Sequence, residues 1–518
     1  MMATTLLSLP PELLANVFYH LEDETFFSGR LANRNLEQAS FTLFGKRFFR
    51  KKGYMITNAS LDVLQSVASH EKLRLYVQHV WFNPDCYTYG PLPSVTPFGR
   101  SWEAESVGIM DTKPPYSEEA AKKRGEYIRS QSMCENHALL NGDRELSDSL
   151  RSAFAILPNL KTVGMRRSEQ HSPWGWSRLR DAAGKDPREL GDTSDLATAG
   201  FKVIPGPTML YLALIHALGT SGSRIQRFYT DAVQIDAISV HLLPPVIIQE
   251  ACNSLLYLEI NVTESERGTH LLLKRSEDNP DSRDSEPQGA GLVRLLSACP
   301  NLRELGLMIF PNRYNSHLVA PERGWTQSYK FMILKHLTEN VQLRNLRRIK
   351  LEKLVALPST VISFLKPSAP HLTSIKLRDI RLLEERDVRK PWQPIFAFFS
   401  TSCPKLSYLL LYHLYHASGG IRFVQNLPPP PTQPEDDPNL VSSTENFTDY
   451  ENIAVEVGMP HNDPDAEGPE RRAAIFRARE TVGDRVRALV NGHWYGQNLF
   501  SYEMDEMLWH TDTSDEEW

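Results

Sequence analysis

The sequence has few cysteines, no long apolar run and little net charge. Its five cysteines are an odd and sparse set, which suits a reducing compartment better than a disulfide framework. The longest apolar stretch, Met209 to Leu218, contains His216 and is far shorter than a membrane-spanning helix. A net charge of −6 gives no general reason to expect nucleic-acid binding. We therefore predict a soluble intracellular protein, cytoplasmic, nuclear or both, that binds neither nucleic acid nor a membrane.

Recognisable catalytic and targeting motifs are also missing. The chain has no phosphate-binding P-loop, no dinucleotide-binding glycine pattern, no paired-histidine zinc helix and no nucleophile elbow. Its sixteen histidines are scattered without the spacing of metal ligands. The N-terminus lacks the basic flank and the unbroken apolar run of a signal peptide. We predict no catalytic residue, no cofactor and no metal site, and a hydrolase or transferase is the least favoured class.

The N-terminus contains the most informative segment of the chain. Pro10 and Pro11 suit the first turn of a helix, where a missing backbone N–H costs nothing, and Glu12 suits the positive end of the helix dipole. Apolar residues then recur at helical spacing and form one broad stripe. A helix of only about three turns cannot bury this stripe alone, so it needs a partner. The stripe consists of Leu13, Leu14, Val17, Phe18 and Leu21.

This segment resembles an F-box, the short helical motif that binds Skp1 in cullin-RING ubiquitin ligases. The resemblance continues at Phe26, Phe27, Arg30, Leu31, Arg34, Leu36, Phe41, Leu43 and Phe44. Gly29 and Asn33 stand where the family more often has an apolar residue and a cysteine. The resemblance implies binding to Skp1 and, through Skp1, to a cullin. The residues that it assigns to Skp1 binding are Leu7, Leu9, Pro10, Pro11, Glu12, Leu13, Leu14, Val17, Phe18 and Leu21. The alternative is an ordinary amphipathic helix that packs only within the protein.

A Leu-x-x-Leu-x-Leu pattern recurs along the rest of the chain. Its clearest copies begin at Leu160, Leu255, Leu302, Leu346, Leu372 and Leu406, and fainter copies begin at Val77 and Ile225. Several copies follow a helical apolar stretch and a proline turn, which indicates a repeated unit of helix, tight turn and short strand. Stacked units of this kind form a leucine-rich-repeat solenoid. The array resembles the degenerate leucine-rich repeats of fungal F-box proteins.

These patterns predict an α/β protein, in which an N-terminal helical F-box precedes an irregular leucine-rich-repeat solenoid, or horseshoe. The predicted domains are the F-box at residues 1–50, the solenoid at 51–427, a Pro-rich acidic linker at 428–470, and a C-terminal helix with an acidic tail at 471–518. The amphipathic helix is expected over Pro469 to Asn491, with Ile475, Val482, Val486 and Leu489 on one face. The tail is either solvated or in contact with a basic patch.

Three of the cysteines occupy one position of the repeat. Cys252, Cys299 and Cys403 each stand three residues before the first leucine of a copy, where other copies have Leu157 and Ala369. A position that accepts cysteine, leucine or alanine is a packing position, because free cysteine behaves as a small apolar residue. We therefore expect these three thiols in the core.

One basic run lies between the F-box and the first repeat, from Lys46 to Lys52. It has the composition of a nuclear-targeting or nucleic-acid-binding patch. The favoured interpretation is a charged helix end with Phe48 and Phe49 packed inward.

Together, the resemblance and the repeats predict a substrate-recognition subunit of a Skp1-cullin-F-box (SCF) E3 ubiquitin ligase. The F-box would bind Skp1 and the repeats a protein substrate. The chemistry of ubiquitin transfer would belong to the other subunits, so the chain itself is not expected to be an enzyme. The alternative is a leucine-rich-repeat interaction scaffold with no role in ubiquitination.

The substrate surface is predicted from alternation along the strands. If the last two leucines of each copy point inward, the residues beside them face the concave side. This rule selects Ser374 and the candidate substrate-binding residues Tyr229, Tyr257, Arg348, Lys350, Lys376, Arg378, Tyr408 and Tyr412. Because four of these residues are cationic, the expected partner is acidic or phosphorylated. The alternative is that these charges only solvate the sheet or pair with the acidic tail.

Overall fold

The computed structural model divides into two units, one of residues 1–302 and 310–313 and the other of residues 303–309 and 314–518. Each unit combines helices with parallel strands, so the predicted α/β class is confirmed. The structure describes residues 9–84, 145–166, 173–177, 206–231, 233–238, 242–263, 289–310, 329–383, 385, 391–416, 419–424, 453–454, 470–471, 473–478 and 494–497. No helix among them is long and apolar enough to cross a membrane.

The first unit begins with three helices, α1 (Pro11–Tyr19), α2 (Asp23–Ala32) and α3 (Arg34–Phe49). They share a small core of Leu14, Phe18, Phe26 and Leu36, which are all buried. The Phe18 and Phe26 rings meet edge to face at 5.3 Å, a favourable arrangement for two aromatic rings. Further apolar side chains are partly buried and pack against this core: Leu9, Leu21, Ala39, Leu43, Phe44 and Phe48.

Gly29 and Asn33 have local structural roles in these helices. A Cβ atom at Gly29 would lie 3.1 Å from Phe18 Cε1, so the missing side chain leaves room for that ring. The side-chain oxygen of Asn33 accepts a hydrogen bond from the Asn35 backbone N–H at 2.7 Å and caps α3. Both departures from the family pattern are therefore compatible with three packed helices.

The rest of the first unit alternates strands with helices. Five strands run parallel and pair in the order β1 (Lys51–Met55), β2 (His79–Asn83), β3 (Thr162–Met165), β4 (Arg227–Tyr229) and β6 (Tyr257–Thr263), with β5 (Val233–Gln234) beside β6. The helices are α4 (Asn58–Ser69), α5 (Glu145–Ala155), α6 (Gly206–Ser221), α7 (Pro245–Cys252) and α8 (Ala290–Ser297). Short 3₁₀ helices span Leu73–Leu75 and Ile235–Ile238.

The second unit has the same alternation. Its main parallel strands are β7 (Glu304–Phe310), β8 (Arg348–Glu352), β10 (Ser374–Arg378) and β12 (Tyr408–Tyr412). A second parallel ladder consists of β9 (Val355–Ala356), β11 (Arg381–Leu382) and β13 (Tyr415–His416). The helices are α9 (Tyr329–Asn340), α10 (Pro358–Leu365) and α11 (Trp392–Ser402), with a 3₁₀ helix at Lys366–His371.

Three successive strands of the second unit end in the same backbone turn. Lys353, Asp379 and His413 follow β8, β10 and β12 directly, and all three have positive φ angles, of 56°, 52° and 48°. The Lys353 N–H donates to the Arg378 carbonyl at 2.9 Å, and the Asp379 N–H donates to the Tyr412 carbonyl at 3.0 Å. A left-handed conformation is uncommon for side chains such as these. Its threefold recurrence shows that these strand–turn–strand segments are structural repeats.

The inward positions of the repeats form the core of each unit. The residues that the pattern placed inward in the second unit are buried: Leu305, Leu307, Ile349, Leu351, Ile375, Leu377, Leu409 and Leu411. Cys252, Cys299 and Cys403 are buried free thiols, so the predicted packing role is confirmed. Burial raises the pKa of the Cys403 thiol to about 12, which makes it a poor nucleophile.

The C-terminal part of the chain differs from the prediction. Further short strands are β14 (Gly419–Val424), β15 (Ile453–Ala454), β16 (Glu470–Arg471), β17 (Ala473–Ala478) and β18 (Trp494–Gln497). Strand β17 pairs antiparallel with β12, so the predicted helix is wrong at Ile475 and its neighbours. An edge strand such as β12 offers a row of unpaired backbone groups, which an added strand satisfies and a helix does not. The rest of that helix, most of the linker and the acidic tail lie outside the described residues.

Candidate functional site

Helices α1 and α2 expose large apolar side chains. Leu13 and Val17, one turn apart on α1, are 48% and 38% exposed. Phe27 and Leu31, one turn apart on α2, are 42% and 88% exposed. Residues four apart lie on the same face of a helix, so each helix presents an apolar pair to solvent. Grouped exposed apolar side chains often mark an interaction surface.

The predicted Skp1-binding stripe is divided between the core and the surface. Leu14 and Phe18 are only 4% and 1% exposed and belong to the core of the three helices, so they do not face solvent in this structure. A broad stripe can face two directions, and here one half faces α2 and α3. Leu13 and Val17 form the exposed half. Leu21 is half-buried against the core.

The other predicted Skp1-binding residues lie before α1 or in its first turn. Pro10 and Glu12 are exposed, and Leu9 is half-buried against the three-helix core. The Pro10 carbonyl accepts the first helical hydrogen bonds, from the backbone N–H groups of Leu13 and Leu14, both at 3.0 Å. Leu7 and the side chain of Pro11 lie outside the described residues.

Part of the basic run from Lys46 to Lys52 lies in the last turn of α3 and makes contacts within the protein. Arg47 forms an ion pair with Asp23 at 2.6 Å and donates a hydrogen bond to the Leu21 carbonyl at 2.8 Å. Phe48 packs against the core of the three helices, and Phe49 is half-buried. These contacts favour the interpretation of a charged helix end.

A row of five side chains crosses one face of the sheet in the first unit. The parallel register places these residues side by side on five strands, and we call them the basic row: Lys51, His79, Thr162, Arg227 and Tyr257. Lys51 and Arg227 are exposed and the other three are half-buried. Neither Lys51 nor Arg227 lies within 4 Å of a carboxylate in the part of the chain that the structure describes. The Arg227 guanidinium lies over the Tyr257 ring, 4.6 Å from its centroid.

The next row on the same face combines two glycines with two large rings. A Cβ atom at Gly53 would overlap the Trp81 ring, and one at Gly164 would lie 2.5 Å from ring carbons of Tyr229. The glycines therefore let both rings lie close to the sheet. Trp81 and Tyr229 are only 5% and 9% exposed, so their faces are covered.

His79 contacts a residue of the neighbouring row, and the cations around it lower its pKa. Its Nε2 atom lies 2.8 Å from the Tyr229 hydroxyl. Burial, and to a smaller extent the nearby charges of Lys51, Arg227 and Arg166, lowers the pKa of His79 to about 3. At neutral pH the imidazole is therefore uncharged, in a region of positive potential.

The carboxylate of Glu259 balances one of these cations. Its Oε2 atom accepts a hydrogen bond from the Tyr257 hydroxyl at 2.5 Å and lies 3.6 Å from the Arg166 guanidinium. Arg166 also lies over the Tyr229 ring, 5.1 Å from its centroid. Burial raises the pKa of Tyr257, and the adjacent Glu259 carboxylate raises it further. Arg166 is thus compensated locally, whereas no carboxylate of a described residue lies within 4 Å of Lys51 or Arg227.

The second unit contains most of the predicted substrate-binding residues. Six of them lie on β8, β10 and β12, on the face opposite the buried leucines, and we call them the cation–tyrosine strip: Arg348, Lys350, Lys376, Arg378, Tyr408 and Tyr412. Ser374 lies between Arg348 and Tyr408 in the register. Tyr229 and Tyr257 belong to the first unit.

Most cations of this strip have a carboxylate partner in the same unit. Arg348 lies 3.7 Å from Glu304, and Lys350 lies 3.3 Å from the buried Glu352. The Arg378 Nε atom lies 3.6 Å from Asp379, and the Lys376 ammonium lies over the Tyr408 ring at 5.5 Å. The strip is therefore less positive than its sequence suggested.

Sequence reasoning missed most of the basic row. His79 and Arg227 flank Val80 and Phe228, which belong to the two fainter copies of the repeat. The alternation rule that selected Tyr257 also selects these residues when it is applied to the fainter copies. The same rule took Tyr229 from the fainter Ile225 copy, and Thr162 flanks Val163 of the clear Leu160 copy, so the signal for these residues was present in the sequence.

No group of three or more His, Cys, Asp or Glu among the described residues could hold a metal ion. The chain matches no protein-family model and no curated protein. The geometry of the described residues gives three candidate surfaces, namely the exposed apolar pair of α1, the basic row and the cation–tyrosine strip.

Proposed function

We propose that this chain is a substrate-recognition subunit of a Skp1-cullin-F-box (SCF) E3 ubiquitin ligase. In this proposal, residues 1–50 are the F-box, and the strand–helix units are irregular leucine-rich repeats. The polar faces of the repeats bind a protein substrate that is acidic or phosphorylated. The chain has no catalytic role and holds its substrate close to the activated ubiquitin, which raises the effective concentration of the two reactants.

The exposed pair Leu13 and Val17 is the observation that carries this proposal. Other apolar and aromatic side chains fill the three-helix core. Leu13 and Val17 therefore contribute little to the packing of this core, and their apolar character needs another explanation. Burial of one such side chain contributes about 1.5–3 kcal/mol, which favours a partner that covers both. The F-box resemblance implies that this partner is Skp1.

The proposal is tested with the full chain co-expressed with Skp1 and a cullin. We expect Leu13→Arg combined with Val17→Arg to abolish co-purification of both partners, because two charges cannot enter an apolar contact without a large desolvation cost. The matched control is Leu75→Arg combined with Val246→Arg, since these residues are also exposed, at 50% and 66%. The control should retain both partners.

Two results would contradict the proposal. One is retention of Skp1 by the Leu13 and Val17 variant while its thermal unfolding is unchanged. The other is binding of Skp1 by a chain that begins at residue 55. Binding of Skp1 without the cullin would instead support the interaction scaffold with no role in ubiquitination.

A further inference from the structure

We infer that the basic row of the first unit binds a phosphorylated side chain of a protein partner. The identity of the partner as a protein substrate rests on the proposed function. The site itself is defined by the geometry and the charge of Lys51, Thr162 and Arg227.

The charge of the basic row distinguishes it from the cation–tyrosine strip. Three of the four cations in the strip lie within 4 Å of a carboxylate. Lys51 and Arg227 have no such partner among the described residues. An anion bound at the basic row therefore meets two uncompensated charges, whereas an anion at the strip must compete with resident carboxylates.

The spacing of the row fits one compact anion. Neighbouring strands are about 4.8 Å apart, so the Cα atoms of Lys51 and Arg227 are about 14 Å apart, with His79 and Thr162 between them. The long side chains of Lys51 and Arg227 can converge over Thr162 from opposite sides. The Thr162 hydroxyl supplies a further donor between them, one strand from Arg227 and two from Lys51. A phosphate group has enough oxygens to accept hydrogen bonds from all three residues.

Arg227 is held in place before any ligand binds. Its guanidinium lies 4.6 Å from the centroid of the Tyr257 ring, and the Tyr257 hydroxyl is fixed in turn by Glu259. A stacked guanidinium keeps the planar fork that binds phosphate with two parallel hydrogen bonds. Less conformational entropy is lost on binding when the side chain is already ordered.

The same face is poorly suited to single-stranded nucleic acid. Such binding requires aromatic rings on which bases can stack. Trp81 and Tyr229 are 5% and 9% exposed, and Arg227 covers the Tyr257 ring. With no open ring, the row offers its cations and hydroxyl without a stacking surface, which favours a phosphorylated peptide over RNA or DNA.

The test measures peptide binding by the full chain at low salt. The probe is a fluorescein-labelled peptide pool with phosphoserine at the centre and all other positions randomised, compared by fluorescence anisotropy with the same pool containing serine. We expect the phosphorylated pool to bind more tightly. Arg227→Gln should weaken its binding about tenfold or more, whereas the matched control Arg151→Gln, at an exposed position of α5 outside the candidate surfaces, should change it less than about twofold.

Several outcomes would overturn the inference. These are equal binding of the two pools, equal losses in Arg227→Gln and Arg151→Gln, or tighter binding of a fluorescein-labelled oligouridine. If Arg227→Gln lowers the unfolding temperature, Lys51→Gln and Thr162→Val replace it, because both leave the Tyr257 contact intact. Wild-type affinity in these two variants would then reject the site.

The Skp1 experiment keeps the two proposals distinguishable. The variant with Leu13→Arg and Val17→Arg should lose Skp1 but bind the phosphorylated pool as the wild type does. Loss of Skp1 binding by the basic-row variants is not expected, because none of their residues belongs to α1, α2 or α3. Failure of Skp1 to bind the wild type would reject the ligase role and leave the phosphate site standing.

Discussion

Single residues of the repeats are sorted by the alternation of side chains along each strand. Leu305 and Leu377 are 2% and 1% exposed, whereas their neighbours Glu304 and Lys376 are half-buried on the opposite face. Truncation of a side chain to alanine therefore has different consequences on the buried face and on the polar face of a strand. On one face it leaves a cavity, and on the other it removes contacts that water can replace.

This difference predicts the cost of truncation at adjacent positions. Leu305→Ala or Leu377→Ala should lower the free energy of unfolding by about 2–5 kcal/mol. Glu304→Ala and Lys376→Ala should change it by no more than about 0.5 kcal/mol, because surface ion pairs contribute little. Urea denaturation of the four variants measures these values. Equal losses at all four positions would show that the strand register is wrong.

The depressed pKa of His79 gives a second prediction at this scale. Since its pKa is about 3 in the folded state and 6.5 ordinarily, the unfolded chain binds one more proton between these values. Protonation therefore favours unfolding as the pH falls below about 6.5, by up to about 1.4 kcal/mol per pH unit. His79→Gln should remove this contribution and flatten the dependence of stability on pH between about 4 and 6.

The control for His79 is a histidine outside such an environment. His371 is exposed, and His371→Gln is the same substitution at a surface position, with which the change of slope in His79→Gln is compared. Urea denaturation at several pH values measures the slopes. A slope in His79→Gln as steep as in the wild type would mean that another group dominates acid unfolding.

Among the helices, the close approach of α6 and α7 depends on a glycine. Gly219 lies near the end of α6, where a Cβ atom would overlap the carbonyl oxygen of Ile247 in α7. Helix propensity alone favours alanine over glycine by about 1 kcal/mol. The clash involves backbone, which moves less readily than a side chain, and overpacking typically costs about 1–3 kcal/mol.

Gly219→Ala is therefore expected to destabilise the protein despite the gain in helix propensity. We predict a net loss of about 1–2 kcal/mol in the free energy of unfolding. Thr220→Ala serves as the control, because Thr220 is exposed and its hydroxyl donates to the His216 carbonyl of its own helix. Its effect should stay within about 0.5 kcal/mol. An increase in thermal stability of Gly219→Ala would contradict the close packing of these helices.

The N-terminal helices show how an element can be predicted while its orientation is not. The proline start and the apolar spacing correctly predicted α1. They did not reveal that Phe18 and Leu14 face α2 and α3, while Leu13 and Val17 face solvent. A stripe wide enough for two contacts has no internal mark that divides it, because every member is apolar.

For the whole molecule, the distribution of charge matters more than its sum. The chain is acidic overall, yet the basic row of the first unit presents Lys51 and Arg227 without carboxylate partners among the described residues. In the second unit, Glu304, Glu352 and Asp379 compensate most of the cation–tyrosine strip. Net charge alone therefore predicts neither where an anion binds nor how strongly.

The sequence by itself determined the α/β class, the inward leucines and the burial of the three repeat cysteines. These features depend on local periodicity and on apolar character, which are visible in any single segment. The helix expected around Ile475 failed for the opposite reason. Its structure depends on an unpaired strand edge at β12, which lies more than sixty residues earlier in the chain.

Only the tertiary structure decided which polar side chains act together. Lys51, Thr162 and Arg227 are far apart in sequence and become neighbours through the register of parallel strands. The carboxylates that compensate the cation–tyrosine strip were likewise identified only once the strands were paired. Coulomb interactions depend on distance in space, so the order of residues along the chain does not reveal which charges are compensated.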